Sequence, residues 1–205
     1  MPHHPGELFV ISAPSGAGKT SLVTALTYAV SDLTISISHT TRAPRPGEIN
    51  GVNYWFIDDK QFRAMIAENK FLEYATVFGN LYGTSRQWVE ETLATGKDVI
   101  LEIDWQGCQK IHALFPECTS IFIVPPSPEV LAARLTERKQ DSIEIIQQRL
   151  ADVKETFAHL NEYHYVVLND DFEDAVNELA AIVQAKRLTR ERQLKTLRPL
   201  LEKFV

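Results

Sequence analysis

The stretch LFVISAPSGAGKTS, residues 8–21, most constrains what this chain can fold into. It begins with four apolar residues, LFVI, which have the length and composition of a buried parallel strand. A loop of small residues follows, and Lys19-Thr20 then opens an amphipathic helix. A strand, a glycine-rich loop and a helix that begins with Lys-Thr are the layout of a phosphate-binding P-loop.

Each part of this stretch has a chemical reason to bind phosphate. Gly16 and Gly18 permit backbone dihedrals that turn several N–H groups toward an anion, and the helix N-terminus adds its positive dipole. Lys19 supplies a full charge, and the Thr20 hydroxyl is suited to ligate Mg²⁺. The stretch predicts a nucleoside triphosphate site, with a glycine-rich turn that binds nothing as the alternative. The residues predicted to surround the phosphates are Ala13, Pro14, Ser15, Gly16, Ala17, Gly18, Lys19, Thr20 and Ser21.

Ala13 departs from the strict P-loop pattern, because it stands where the first glycine belongs. An alanine fits there only if its φ angle is negative. We therefore expect the loop to leave the strand without a left-handed residue at this position.

Composition limits the classes of partner. The chain has 205 residues, 44% of them hydrophobic, which suits one domain with a sizeable core. Its net charge of −6 argues against general binding to nucleic acid or to a membrane surface. There is no signal-peptide pattern, no apolar run near the ~20 residues of a membrane span, and no metal-type or redox-type spacing between Cys108 and Cys118. We expect a cytoplasmic protein with two core thiols.

Strands alternate with helices along most of the chain, which predicts a parallel α/β sheet flanked by helices. Buried strands are predicted at residues 8–11, 99–104, 120–124 and 165–168. Before and within a mixed insertion, roughly residues 38–88, we expect strands at 34–38, 52–57 and 71–78, a helix at 58–69 capped by Asp58 or Asp59, and a turn-rich segment at 79–85. Helices are predicted at 21–30, 86–95, 128–139 and 143–162, and residues 172–205 are predicted as one helix that Pro199 interrupts near its end.

Ligands of an open parallel sheet bind beyond the carboxyl ends of its strands. Asp104 follows such an end, where a carboxylate could hold Mg²⁺ or touch a substrate. Its alternative role is that of a helix N-cap. The sequence leaves open whether Asp104 or Glu102 lies nearer the metal.

Two groups of arginines could neutralise phosphate. Arg42 and Arg45 stand in a proline-rich turn, where guanidinium groups are suited to a bidentate grip. Arg134 and Arg138 lie one helical turn apart, with Arg149 on the next helix. Solvated surface arginines are the alternative in both cases, but an acidic protein that transfers phosphate must supply positive charge locally.

The sequence resembles the guanylate kinases, specifically the soluble bacterial type. The matching stretches run through nearly the whole chain in one order: SAPSGAGKT (12–20), SISHTTRAPRPGEINGVNYWF (36–56), FLEYATVFGNLYGTS (71–85), ILEIDWQG (100–107), FIVPPS (122–127) and VLNDD (167–171). The resemblance implies a P-loop NTPase fold with a GMP-binding insertion at 38–88 and a helical lid at 126–148. The core then comprises residues 1–37, 89–125 and 149–205.

The reaction implied by the resemblance is ATP + GMP ⇌ ADP + GDP, with Mg²⁺ and with dGMP as an alternative acceptor. By the same resemblance, the GMP site contains Ser38, Arg42, Arg45, Glu48, Tyr54, Glu73, Tyr82, Thr84 and Asp104. The implied catalytic charges are Lys19, Arg42, Arg134, Arg138 and Arg149, the implied metal ligands are Thr20 and Asp104, and Asn169 is placed on the adenine side. Glu73 suits guanine, whose N1–H and N2–H₂ are adjacent donors to one carboxylate, whereas adenine would leave that carboxylate unpaired.

The expected mechanism needs no general base, because the attacking GMP phosphate oxygen is already ionised. Closure of the insertion and the lid would exclude water. One departure concerns the lid, where many relatives have Gly-Arg-Gly but Arg138 here lies between Glu137 and Lys139. That difference leaves the conformation of the lid loop open.

Two other functions share some of these features. A guanylate-kinase-like domain that only binds peptides would usually have an eroded P-loop, which this chain does not. A kinase for another phosphorylated acceptor, such as a sugar phosphate, would not need Ser38, Glu73 and Thr84 together. The basic C-terminal helix is expected to be an exposed amphipathic helix or a homo-oligomer contact through its leucines, rather than an RNA-binding arm.

Overall fold

The computed structural model describes residues 5–137 and 153–204. Its central sheet contains β1 (Leu8–Ser12), β2 (Leu33–Ile35), β7 (Asp98–Glu102), β8 (Thr119–Val124) and β9 (Tyr165–Leu168). The strand order is β2-β7-β1-β8-β9, and every neighbouring pair is parallel. The predicted parallel α/β fold is therefore confirmed.

Seven α-helices have defined bounds in the described ranges. They are α1 (Lys19–Ala29), α2 (Asp59–Ala67), α3 (Arg86–Ala94), α4 (Trp105–Leu114), α5 (Pro128–Glu137), α6 (Phe172–Arg187) and α7 (Arg190–Leu201). Residues 153–158 are also helical, and Leu160–Glu162 form a 3₁₀ turn. Within the described ranges, none of the helices has the length and apolar character needed to cross a membrane.

Alternation along β1 divides the apolar core into two layers, because successive side chains of a strand point to opposite faces. Phe9 and Ile11 pack in one cluster with residues of α1 and α6. Leu8 and Val10 pack in the other cluster with residues of α3 and α4. The central strand is thus buried from both sides, as its continuous apolar sequence predicts.

A second sheet forms within the predicted insertion. Its strands are β3 (His39–Thr40), β4 (Trp55–Phe56), β5 (Phe71–Val77) and β6 (Asn80–Ser85), in the order β4-β3-β6-β5. β5 and β6 form an antiparallel hairpin in which Glu73 lies opposite Thr84. The α2 helix begins after Asp58 with a capping box, which confirms the first of the two predicted caps.

Three strand predictions in this region are corrected. Residues 80–85 of the predicted turn-rich segment form the strand β6. The turn itself contains only Phe78 and Gly79, whose φ angles of 49° and 75° are those of a tight hairpin. Residues 52–57 contribute only the short strand β4. The predicted strand at 34–38 ends at Ile35, and the chain then crosses to β3 in the second sheet.

The C-terminal region is two helices rather than one, because the chain breaks at Leu188 and Thr189. Pro199 lies inside the second helix, so it does not cause the break. Within one continuous helix, Arg187 and Arg192 are five residues apart, so their side chains would point about 140° apart. The break instead lets Arg187 and Arg192 reach the fully buried carboxylate of Asp98, at 2.7 Å and 3.1 Å. Basic residues of this region therefore anchor it to the start of β7.

Candidate functional site

The P-loop connects β1 to α1 with the predicted backbone geometry. Gly16 and Gly18 have φ angles of 92° and 89°. The non-glycine residues with positive φ in the described ranges are Asp32, Asn69 and Phe78, so Ala13 has the negative φ that an alanine requires. Gly18 is the N-cap of α1, whose first turn receives no side-chain cap and contains no acidic residue. The N–H groups of that turn are therefore open to an anion.

A carboxylate from the neighbouring strand lies against the P-loop. The Thr20 hydroxyl donates a hydrogen bond of 2.5 Å to Oε1 of Glu102, and the Lys19 ammonium lies 3.7 Å from the same oxygen. Glu102 ends β7 and pairs in register with Ile11 of β1, which explains why it arrives beside the loop. A hydroxyl and a carboxylate oxygen are hard ligands of the kind that Mg²⁺ prefers.

Asp104 has a different place. Its Oδ1 accepts a hydrogen bond of 2.9 Å from the backbone N–H of Gly107, so it caps α4. The structure therefore brings Glu102 rather than the predicted ligand Asp104 to Thr20. No local signal in the sequence distinguishes them, because Glu102 reaches the P-loop through the pairing of β7 with β1, in which it lies opposite Ile11.

Asn169, which follows β9, contacts the P-loop through its side-chain amide. Its side-chain amide donates a hydrogen bond of 2.7 Å to the carbonyl oxygen of Ala17, and the residue is only 4% exposed. A Cβ at Gly18 would lie 2.5 Å from the same amide nitrogen, so glycine is required there by space as well as by φ. The structure thus gives Asn169 a contact that holds the loop.

An open cleft of about 420 Å³ lies beside the P-loop. It is lined by Gly16, Gly18, Ser21, Arg134, Asn169, Asp170 and Phe172. Nη1 of Arg134 is buried and has no hydrogen-bond partner among the described residues. The other two predicted arginines of this group, Arg138 and Arg149, lie outside the described residues.

Arg42 and Glu48 form the centre of a second charged group, in the insertion. Nη2 of Arg42 lies 2.7 Å from Oε1 of Glu48, whose other oxygen accepts a hydrogen bond of 2.7 Å from the backbone N–H of Arg45. Burial alone would lower the pKa of Arg42, but its contact with Glu48 outweighs this and raises the pKa. Burial alone would raise the pKa of Glu48, but the hydrogen bonds from Arg42 and Arg45 lower it. Both groups are therefore held in their charged forms.

Two tyrosines stand beside this ion pair. The Arg42 guanidinium lies 5.4 Å from the ring centre of Tyr54, which packs edge-on against Tyr82 at 5.9 Å. Burial and the negative charge of Glu102 raise the pKa of Tyr54, so its hydroxyl remains a hydrogen-bond donor at neutral pH.

Glu73 is a carboxyl group almost removed from solvent. It is 5% exposed, and the fully buried Thr84 donates a hydrogen bond of 2.6 Å to its Oε1. Burial, with a contribution from the negative charge of Asp104, raises its pKa to about 7. Ser38 lies half-buried at the entry to β3, and its carbonyl oxygen accepts a hydrogen bond of 2.9 Å from the N–H of Trp55. The structure thus groups Glu73, Thr84 and Asp104 at the end of the insertion that meets α4.

A parallel sheet whose central strand runs into this loop, with Lys19 and Thr20 at the start of α1, defines a P-loop protein of the α/β class. The sequence profile of the guanylate kinase family matches residues 6–186. A guanylate kinase of Methylococcus capsulatus is 55% identical over 188 residues, covering 92% of each chain. A guanylate kinase of Coxiella burnetii is 54% identical over 198 residues, covering 97% of this chain and 96% of that one.

The solved structures give the same result. The crystal structure of a guanylate kinase from Anaplasma phagocytophilum is 32% identical to this chain and superposes with a TM-score of 0.80. The match covers 96% of this chain and 95% of that chain. The chain belongs to the guanylate kinase family.

Proposed function

We propose that this chain transfers the γ-phosphoryl group of ATP to GMP or dGMP, giving ADP and GDP. The observation that carries this proposal is the buried Glu73 carboxylate, which Thr84 holds at 2.6 Å in the β5–β6 hairpin of the insertion. A single buried carboxylate matches the two adjacent donors of guanine, N1–H and N2–H₂. Adenine, which lacks this edge, would leave the carboxylate unpaired at a cost of about 1–3 kcal/mol.

In this proposal ATP binds at the P-loop. The open N–H groups of α1 and the Lys19 ammonium bind its phosphates, and the base lies toward the cleft that contains Arg134 and Asn169. Thr20 and Glu102, whose oxygens lie 2.5 Å apart, are the residues that would hold Mg²⁺. Asp104, which the sequence analysis predicted as a metal ligand, would serve the guanine side instead. Bound Mg²⁺ would supply charge neutralisation at the transferring phosphate.

The GMP phosphate would enter between Arg42, Arg45, Tyr54 and Tyr82. The Arg42–Glu48 pair keeps the guanidinium aligned before substrate arrives, so little side-chain entropy is lost on binding. The attacking oxygen of GMP is already ionised and needs no base. The work of the residues is therefore to align two nucleotides and to neutralise the charge between them.

The division of the chain remains part of the proposal: core at 1–37, 89–125 and 149–205, GMP-binding insertion at 38–88 and lid at 126–148. Closure of the insertion and the lid over bound nucleotides would exclude water as a competing acceptor. Residues 138–148 of the proposed lid lie outside the described residues. The catalytic roles of Arg138 and Arg149 therefore rest on the sequence and its family resemblance alone.

The test is an assay of ADP release from Mg-ATP with GMP, dGMP, AMP, CMP and UMP in turn. We expect turnover with GMP and dGMP and much slower turnover with the other three. Equal use of AMP would contradict guanine recognition. Absence of turnover with every nucleotide would contradict the proposal and favour either a peptide-binding member of the family or a kinase for another phosphorylated acceptor.

We also propose a cytoplasmic protein that binds neither nucleic acid nor membranes, in keeping with its net charge of −6. A homo-oligomer could form through α7, on which Leu194, Leu197 and Leu201 share a face and are 51%, 38% and 38% exposed. Light scattering with Leu197→Glu as the comparison tests this contact. A monomeric wild-type protein would contradict it.

A further inference from the structure

Gly107 is a glycine inside the first turns of α4, where alanine would ordinarily be favoured by about 0.5–1 kcal/mol. The reason for glycine lies in its surroundings. A Cβ at this position would lie 2.9 Å from Oε2 of Glu73 and 3.1 Å from Cδ1 of Ile103. Both distances are shorter than van der Waals contact allows, so a side chain at 107 must displace a neighbour.

The Glu73 carboxylate has little freedom to move away. Its Oε1 is held by the Thr84 hydroxyl at 2.6 Å, and Thr84 is itself fully buried and opposite Glu73 in the β5–β6 hairpin. From the other side, the Gly107 N–H is fixed by its 2.9 Å hydrogen bond to Asp104. The Thr84 hydroxyl thus fixes Oε1 of Glu73, and Oε2 lies against Gly107, which has no side chain.

We propose that Gly107 is a positioning residue for acceptor specificity: its missing side chain lets the Glu73 carboxylate sit where both of its oxygens can accept hydrogen bonds from guanine. This inference rests on the proposed function, because it requires Glu73 to read the base. A residue of α4, which belongs to the parallel core, would then take part in the recognition of guanine by the insertion.

The substitution Gly107→Ala provides a selective readout. Guanine offers two donors to the carboxylate, whereas hypoxanthine, the base of inosine monophosphate, lacks the 2-amino group and offers only N1–H. A displaced carboxylate loses the two-donor geometry, so the penalty falls mainly on GMP. We expect kcat/KM for GMP to fall about tenfold or more, as for a weakened hydrogen bond to a charged group. The value for inosine monophosphate should fall much less, and KM for ATP should stay within about twofold.

A matched control lies on the same helix. Ala113 is exposed on α4, so Ala113→Gly changes helix propensity without touching Glu73. It should leave the ratio of GMP to inosine monophosphate use unchanged. Because a Cβ at 107 would also approach Ile103, at 3.1 Å from its Cδ1 and 3.2 Å from its Cβ, a second variant combines Gly107→Ala with Ile103→Val. This change removes the Cδ1 contact and leaves the approach to Cβ and the contact with Glu73 in place. Thermal melting of both variants then shows whether the fold is intact.

A double-mutant cycle with Glu73→Ala completes the test. If Gly107 acts through Glu73, Gly107→Ala changes GMP use by less than about twofold once Glu73 is alanine. The inference is overturned if the loss persists in that background, if GMP, inosine monophosphate and ATP use fall equally, or if Gly107→Ala has no effect. Failure of the proposed function would look different, since the wild type would not use GMP or Glu73→Ala would leave its use intact.

Discussion

The two halves of the candidate site are built on opposite principles. At the P-loop, the groups that face a ligand are mainly backbone N–H groups, with glycines at φ angles of 92° and 89° and an uncapped helix terminus. In the insertion, they are side chains that already contact one another: Arg42 with Glu48 at 2.7 Å, and Thr84 with Glu73 at 2.6 Å. Backbone groups recognise any phosphate, whereas buried side chains distinguish one base from another.

This difference predicts that damage to each half has a different signature. A change at the P-loop should affect all acceptors equally, because it weakens the donor that they share. A change at Glu73 should affect acceptors according to their bases and leave the donor alone.

The largest effect is expected for Lys19→Ala. Removal of the charge beside the transferring phosphate should lower kcat about a hundred- to thousandfold with every acceptor. Lys19 is partly exposed and contacts Glu102 at 3.7 Å, so the melting temperature should hardly change. Steady-state kinetics and thermal melting measure the two quantities, with the exposed Lys60→Ala as control. Loss of folding would show instead that Lys19 has a packing role.

Glu73→Gln is expected to have the second-largest effect on activity, and this effect should differ from one acceptor to another. The amide presents only one acceptor oxygen to the two donors of guanine, so kcat/KM for GMP should fall about 10- to 100-fold. ATP affinity should stay within about twofold. Glu68→Gln, in an exposed ion pair with Lys70, is the matched control. An equal fall in ATP affinity would mean that Glu73 is structural.

The pH dependence of GMP affinity provides a further test of the difference between the two halves of the site. Glu73 must be ionised to accept both donors of guanine, and burial raises its pKa to about 7. GMP affinity should therefore fall as the pH decreases below about 7, approaching tenfold per pH unit. Calorimetric titration from pH 5.5 to 8.5 measures this. In Glu73→Gln only the titration of the GMP phosphate, with a second pKa near 6, should remain. If the pH profile of GMP affinity were the same in Glu73→Gln as in the wild type, the assignment to Glu73 would be contradicted.

Asn169→Ala should have the smallest effect of the four. It removes the 2.7 Å hydrogen bond to the carbonyl oxygen of Ala17 and leaves a buried acceptor unpaired, at a cost of about 1 kcal/mol. KM for ATP should rise about fivefold, with every acceptor affected alike. The exposed Asn177→Ala on α6 is the control. A change that depended on the acceptor base would contradict the placement of Asn169 on the donor side.

The P-loop could be predicted because its elements are contiguous and their chemistry depends on local backbone geometry. The insertion could not be predicted in the same way. Residues 80–85 form β6 only because they pair with β5, and their sequence, with a glycine and polar residues, indicates a turn when considered alone. The buried contact between Glu73 and Thr84 depends on that pairing, so only the family resemblance suggested it.

Two further differences have the same physical origin. Glu102 reaches Thr20 because β7 lies beside β1, and strand order is not a local property of the sequence. The break at Leu188 depends on Asp98, which lies about ninety residues away along the chain and contacts both Arg187 and Arg192. In the first case a long-range contact decided between two carboxylates that the sequence left open, and in the second it overturned the prediction of one continuous helix.

The most direct test of the account is a crossed pair of dissociation constants, for GMP and for ATP, measured by calorimetry on Lys19→Ala and Glu73→Gln. We expect Lys19→Ala to weaken ATP binding and to leave GMP binding within about twofold, and we expect Glu73→Gln to do the reverse. A variant that weakens both ligands equally would contradict the separation of a backbone-built donor site from a side-chain-built acceptor site.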